Sequence, residues 1–274
     1  MQAFNQDEVS ACFEDFWTPY FLAERLTEKV HMMLHLEGLP RAPCMICYAP
    51  GGVGKTALAQ EMLARSREWE KKLITISLQE GFQHLDLEAS ILTQLVLQPT
   101  NYEFTKNRTV QVREAMSQHD VGGLVIDDIH ELLRLPPDKQ RSSMLFLKGL
   151  ACNGLSICAF GSRSFQKILS AEPHLSSSWI IDHLKPFEFN RELKGFLEEY
   201  SRNFPNLIWR CFDVESVSII HKKTHGLIDN IVKVVQVLAA HARLVGGAEV
   251  VPCNVTRIDS MLDMFGVGLG GLYD

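Results

Sequence analysis

No hydrophobic run in the sequence is long enough to span a bilayer. The longest uncharged stretch near its middle, Gly149–Ser162, is short and is interrupted by Asn153 and Ser156. A chain without a membrane segment is therefore expected. The N-terminus, MQAFNQDEVS, lacks the basic start and apolar core of a secretory signal. Positive charge is not in excess either: 27 Lys and Arg stand against 33 Asp and Glu, a formal net charge of −6. That excludes a protein that coats nucleic acid through net charge alone, so any such contact needs a local basic patch. Internal repeats and low-complexity segments are missing, which excludes disordered and collagen-like chains. An even set of cysteines is missing as well. The seven present, Cys12, Cys44, Cys47, Cys152, Cys158, Cys211 and Cys253, are scattered through apolar segments. They read as reduced, buried thiols of a cytoplasm.

What remains is an ordinary globular composition. Of 274 residues, 46% are hydrophobic and 22% charged, enough for one large domain or two small ones. Short apolar runs alternate with longer amphipathic segments, the pattern of an α/β core with a parallel sheet. The apolar runs are Cys44–Tyr48, Leu73–Leu78, Gly123–Ile126 and Leu155–Phe160. They show little polar alternation, as strands buried on both faces do. Helical periodicity predicts helices over Phe21–Leu36, Ala57–Arg67, Leu87–Leu97, Thr109–His119 and Ser142–Leu150. After about Ser162 helices dominate, over Asn190–Tyr200, Val214–His221, Ile228–Ala240 and Val255–Met264. These signals divide the chain into an N-terminal helical segment (1–40), a core (41–186), a helical subdomain (187–265) and a glycine-rich tail (266–274). The tail is expected to be extended, mobile or a short docking segment.

The strongest chemical signal is Ala49-Pro50-Gly51-Gly52-Val53-Gly54-Lys55-Thr56-Ala57. It follows an apolar strand and opens a helix, the context a phosphate-binding loop requires. Glycines let the backbone curl until several N–H groups point into one concavity, and the helix N-terminus adds its positive dipole end. Lys55 is placed to reach the β- and γ-phosphates of ATP, and Thr56 to give its hydroxyl to Mg²⁺. Ala49 stands where the motif expects a first glycine.

A second apolar strand ends in Asp127 and Asp128. A carboxylate at the C-terminal end of a parallel strand beside the loop sits where Mg²⁺ needs an outer ligand, the role of Asp127. Asp128 is the candidate to orient the attacking water. Glu is commoner there; Asp is one methylene shorter, so slow hydrolysis is expected. A third strand tip carries Ser162, the candidate contact to the γ-phosphate, followed by Arg163. His130 follows the Asp pair, as a neighbour of the site or as an ordinary polar residue of the next helix.

Taken in order, these residues resemble the TniB/TnsC family of AAA+ ATPases from bacterial transposons. Trp17-Thr-Pro-Tyr-Phe resembles the family's segment before the first strand. The phosphate loop, Val125-Ile-Asp-Asp-Ile-His-Glu-Leu-Leu and Phe160-Gly-Ser-Arg come next, then Glu172-Pro-His-Leu and Leu184-Lys-Pro-Phe. Thr224-His-Gly-Leu-Ile-Asp-Asn-Ile-Val-Lys resembles the family's small helical lid, so the likeness runs over roughly residues 15–245. The resemblance implies an AAA+ core with a C-terminal lid and ATP-dependent assembly on double-stranded DNA as a homo-oligomeric ring or filament. It also implies a link between a target-selector protein and a transposase, with hydrolysis driving disassembly. In the lid it implies a nucleotide-sensing residue near Asn230 or Lys233. Family members often carry arginines between Pro173 and Trp179; this chain has His-Leu-Ser-Ser-Ser there. Arg163 is the weaker substitute for that trans-acting charge.

Candidate DNA contacts are Lys106 and Arg108, before the third strand, with Lys71, Lys72 and Lys148 as further candidates. The Cys44/Cys47 CxxC has no second ligand pair for zinc and reads as buried thiols. His31 and His35 lack the Glu of a helical zinc motif and read as solvent-facing or partly packed histidines. Two other classes share the loop and the Asp pair: STAND-type signalling switches and helicase-loader-like ATPases. A nucleotide-binding scaffold without hydrolysis is a further class. DNA-dependent assembly and turnover separate them.

Overall fold

The computed structural model describes residues 6–36, 39–78, 87–94, 108–171 and 179–271. Its helices are α1 (Gln6–Ser10), α2 (Phe21–Leu34), α3 (Lys55–Ser66), α4 (Leu87–Gln94), α5 (Arg108–Gln118), α6 (Pro137–Cys152) and α7 (Gln166–Ala171), then α8 (Arg191–Ser201), α9 (Val214–Thr224), α10 (Ile228–Leu244), α11 (Pro252–Thr256) and α12 (Ile258–Phe265). The strands are β1 (Cys44–Tyr48), β2 (Lys72–Ser77), β3 (Val121–Asp127), β4 (Ser156–Gly161), β5 (Trp179–His183), β6 (Ile208–Trp209) and β7 (Glu249–Val250).

Two compact units are present. One consists of Ala23–Ala49 and Lys55–Leu184. Its centre is a five-stranded parallel sheet in the order β2-β3-β4-β1-β5. The four predicted runs are its four central and edge strands β1 to β4, and β1 and β4 are buried along their whole length. Such strands carry helices on both faces, which explains their unbroken apolar character. The fifth strand, β5, was not expected from the sequence. It lies at the sheet edge and exposes Ile180 and Ile181, so it has neither a continuous apolar run nor clean alternation. Glycine has a steric use in β3. A Cβ on Gly123 would fall 2.6 Å from side-chain carbons of both Leu34 and Leu73.

The other unit consists of Met1–Leu22, Pro50–Gly54 and Lys185–Tyr273. Its central helix is α10, with ten residues buried from Asn230 to Ala242. Helix α8 starts where the Asn190 side chain accepts from the N–H groups of Glu192 and Leu193, and α9 where Asp213 accepts from Ser216. An aromatic cluster of Tyr20, Phe187, Phe196 and Tyr200 packs beside them. The predicted helix Val255–Met264 is two helices, α11 and α12, broken at Arg257. The Asn254 side chain accepts from the Val251 N–H and closes α11 into a short turn. Among the described residues no helix is long and apolar enough to cross a membrane.

Candidate nucleotide site

In the sheet-containing unit, the site grows from the ends of β1, β3 and β4. The Ala49 N–H donates to the Gly161 carbonyl (3.0 Å), tying the end of β1 to the end of β4. Lys55 opens α3, and its Nζ lies 3.5 Å from the Ala49 carbonyl. The Thr56 hydroxyl donates to Asp127 Oδ2 at 2.6 Å, joining residues 71 apart in sequence. Asp127 Oδ1 accepts from the Asp128 N–H (3.0 Å), and Asp127 is only 2% exposed. A hydroxyl and a carboxylate oxygen side by side are the hard donors Mg²⁺ takes.

Asp128 is buried and adopts a left-handed conformation, φ 54° and ψ 42°, at the junction of β3 with a 3₁₀ turn over Ile129–Arg134. Asp and Asn tolerate this region better than other non-glycine residues. The conformation turns the chain sharply, so successive carboxylates can serve different partners. Burial, and then the Asp127 charge, push the Asp128 carboxyl above the usual range; Lys55 and His130 pull the other way. Ser162 stands just before the 3₁₀ turn that follows β4, and its hydroxyl lies 2.5 Å from that of Ser164. Arg163 is exposed.

In the other unit, Gly52 and Gly54 have φ of 75° and 83°, which only glycine adopts without strain. Gly51 and Gly52 are exposed and Val53 is buried, while nothing lies within 4 Å of a Cβ built on Gly51. The Gly52 carbonyl accepts from the Asp229 N–H (2.9 Å), in the first turn of α10. Pro50 is half-buried, and Ala57, back in the first unit, is exposed at the start of α3.

Both nucleotide-sensing candidates are engaged by residues of their own unit. Asn230 is 1% exposed, and its amide donates to the carbonyls of Gly270 (2.8 Å) and Thr224 (3.3 Å). Its Oδ1 accepts from the Gly270 N–H (2.9 Å), so the glycine-rich tail is docked by a two-way clasp. Lys233 reaches Asp229 at 2.8 Å. Lys106 lies outside the described residues, as does the side chain of Arg108 at the start of α5. Lys72 is committed to the carbonyls of Arg67 and Trp69 beyond the C-terminus of α3. The segment Glu172–Ser178 lies outside the described residues.

Sequence reasoning missed the clasp, because one glycine among the four of a glycine-rich tail announces no partner. It also left open His130, whose Nδ1 lies 3.8 Å from Asp128 Oδ1. Burial raises the thiols of Cys44 and Cys47 to about 12, which removes them as ready thiolate ligands. His31 and His35 meet Nε2 to Nε2 at 3.1 Å, and His31 stacks on Trp69. Among the described residues, no group of three or more His, Cys, Asp or Glu is placed to hold a metal ion.

The profile of the family described as "Bacterial TniB protein" matches residues 9–189, more than half of the chain. The chain belongs to the TniB family. No curated protein matches it significantly. Among solved structures it is similar to Aeropyrum pernix ORC1 in complex with DNA, with a TM-score of 0.62 and 17% identity over 93% of this chain and 69% of that one. It is also similar to Pyrobaculum aerophilum Cdc6p (TM-score 0.65, 14% identity, 96% and 72% of the chains). Domain III of the Thermotoga maritima replication initiation protein DnaA gives 0.56 and 15% over 94% and 97%. This TniB-family chain therefore has the AAA+ P-loop ATPase fold, a parallel sheet flanked by helices.

Proposed function

We propose that the protein is an ATP-dependent, DNA-binding regulator of transposition. It assembles on target double-stranded DNA as a homo-oligomer and links a target-selector protein to the transposase. ATP hydrolysis then drives disassembly. Membership of the TniB family supports this reading, and the observation that carries its chemistry is the pairing of Thr56 with Asp127 next to Lys55.

Each residue has a role in it. The backbone of Pro50, Gly51, Gly52, Val53 and Gly54 cradles the phosphates, together with the N-terminus of α3 at Lys55, Thr56 and Ala57. Lys55 neutralises phosphate charge. Thr56 and Asp127 hold Mg²⁺, whose chemistry when bound is to neutralise charge on the transferred phosphoryl group. Asp128 orients the attacking water, and Ser162 contacts the γ-phosphate. A nucleotide-sensing residue stands on α10, Asn230 or Lys233. Lys106 and Arg108 contact DNA phosphates. Hydrolysis is slow, because Asp128 is a methylene shorter than the usual Glu and the segment before Trp179 offers no arginine.

The test is sedimentation and electron microscopy on duplex DNA with ATP, a non-hydrolysable analogue, ADP or no nucleotide. ATP-dependent rings or filaments are expected. Lys55→Ala should abolish them, and Asp128→Asn should leave them trapped, with hydrolysis slowed to a low residual rate. Tight nucleotide binding without DNA assembly would instead favour the signalling switch. Full assembly by Lys55→Ala would remove the phosphate-site assignment altogether.

A further inference from the structure

His130 sits between two carboxylates. It lies in the 3₁₀ turn Ile129–Arg134, directly after β3. Its Nδ1 is 3.8 Å from Asp128 Oδ1, and its Nε2 is 3.9 Å from Glu131 Oε1. Both carboxylates are buried, and Glu131 is itself fixed by Arg134, whose Nε lies 2.7 Å from Oε2. Neither imidazole distance is a hydrogen bond. Nδ1 is nevertheless buried and has no hydrogen-bond partner among the described residues. A buried ring nitrogen without a partner is uncommon and calls for a reason.

Its surroundings supply one. The residue facing the ring from β4 is Gly161. A Cβ there would lie 3.6 Å from His130 Nδ1, 3.4 Å from its backbone N and 2.9 Å from Ile129 Cγ2. The missing side chain thus makes room for Ile129, the ring's chain neighbour, at the end of the strand that leads into Ser162, while the imidazole itself would meet a Cβ only in ordinary contact. Asp128 Oδ1 stands 3.8 Å from Nδ1, the gap that a hydrogen bond between the two would close.

We propose that His130 is a positioning residue for Asp128. It donates from Nδ1 to the Asp128 carboxylate and fixes the rotamer from which that carboxylate orients water. This rests on the reading of Asp128 as the water-orienting group. Asp128 occupies a left-handed backbone position at the start of the 3₁₀ turn, and its side chain makes no capping hydrogen bond to that turn. His130 is not itself required to touch nucleotide.

Amide substitutions separate this role from packing. Asn places its side-chain nitrogen near the position of Nδ1, whereas Gln places its nitrogen near that of Nε2. Steady-state hydrolysis and equilibrium ATP binding are measured on the full chain for His130→Ala, His130→Asn, His130→Gln, Asp128→Asn and the double variant Asp128→Asn/His130→Ala. Thermal melting checks folding. Loss of one hydrogen bond to a charged group lowers kcat about tenfold in His130→Ala, with ATP affinity unchanged. His130→Asn recovers most of the rate and His130→Gln does not. His130→Ala adds nothing in the Asp128→Asn background, because both changes remove one interaction.

Other results overturn the proposal. Equal rescue by Gln, additive losses in the double variant, or a lost ATP affinity at unchanged kcat would each assign His130 a packing or binding role. If His130→Ala does not fold, the Asn and Gln variants decide alone. Wild-type rates in the His130 variants with a low rate in Asp128→Asn would reject this proposal and leave the Asp128 reading intact. Wild-type turnover by Asp128→Asn would reject both.

Discussion

At Asp182, on the edge strand β5, two cations of α2 converge. Arg25 reaches Oδ1 at 2.8 Å and Lys29 reaches Oδ2 at 2.7 Å. Burial alone would raise the carboxyl, but the Lys29 hydrogen bond, the His183 N–H and both positive charges outweigh it and hold it below the usual range. A carboxyl lowered in the folded state adds stability above its unfolded pKa and loses it as the pH falls through the lowered value. Asp182→Asn is therefore expected to cost about 1 kcal/mol at neutral pH, a modest figure because both cations are partly exposed. The gap between wild type and variant should close below about pH 4, as followed by melting temperature across a pH series. Legibility at this scale was uneven. Lys55, Thr56, Asp127 and Asp128 stood out because their types sit at strand and loop ends in a fixed spacing. Asp182 and Lys72 did not, since their partners are other side chains or carbonyls that no local pattern names.

Among the elements, the turn between α9 and α10 is the most constrained by backbone. His225 and Gly226 have φ of 52° and 71°, and the Phe187 N–H donates to the Gly226 carbonyl at 2.8 Å. A Cβ on Gly226 would be driven into the Phe187 carbonyl. Gly226→Ala should therefore destabilise the protein by about 3 kcal/mol, through both the positive φ and the clash; chemical denaturation would measure it. The same change at Gly149, inside α6 with nothing within 4 Å of its built Cβ, should instead be neutral to stabilising by a fraction of a kcal/mol. Strands β1 to β4 were legible because burial on both faces requires unbroken apolar runs. Strand β5 was not, for an edge strand with exposed isoleucines obeys neither the buried nor the alternating pattern. The break between α11 and α12 was also hidden, because Arg257 interrupts the hydrogen bonding without any glycine or proline at the break.

For the molecule as a whole, the net charge of −6 bears on how DNA would be held. Attraction cannot come from overall charge, so binding must concentrate on a few cations contacting phosphates. Each phosphate neutralised releases counterions, and log K should fall with log salt with a slope of about −0.9 per contact. Affinity titrations over a salt series, on duplexes of different sequence, are expected to give a clear negative slope and little sequence preference. Lys106→Ala should make that slope shallower by about one unit, whereas a change at Lys72, already spent on carbonyls, should not.

The class of fold, the phosphate loop and the Asp pair follow from the amino-acid order alone. They depend on local rules: apolar runs for buried strands, glycines where φ must be positive, and polar residues at strand ends. What side chains distant in sequence do to one another follows from the folded chain. Thr56 meets Asp127 because β1 and β3 flank β4 in one parallel sheet. Asn230 grips Gly270 across 40 residues, and Gly161 at the end of β4 makes room for Ile129. Such contacts carry no periodicity, since a hydrogen bond closed over a long loop depends on where packing brings its two ends.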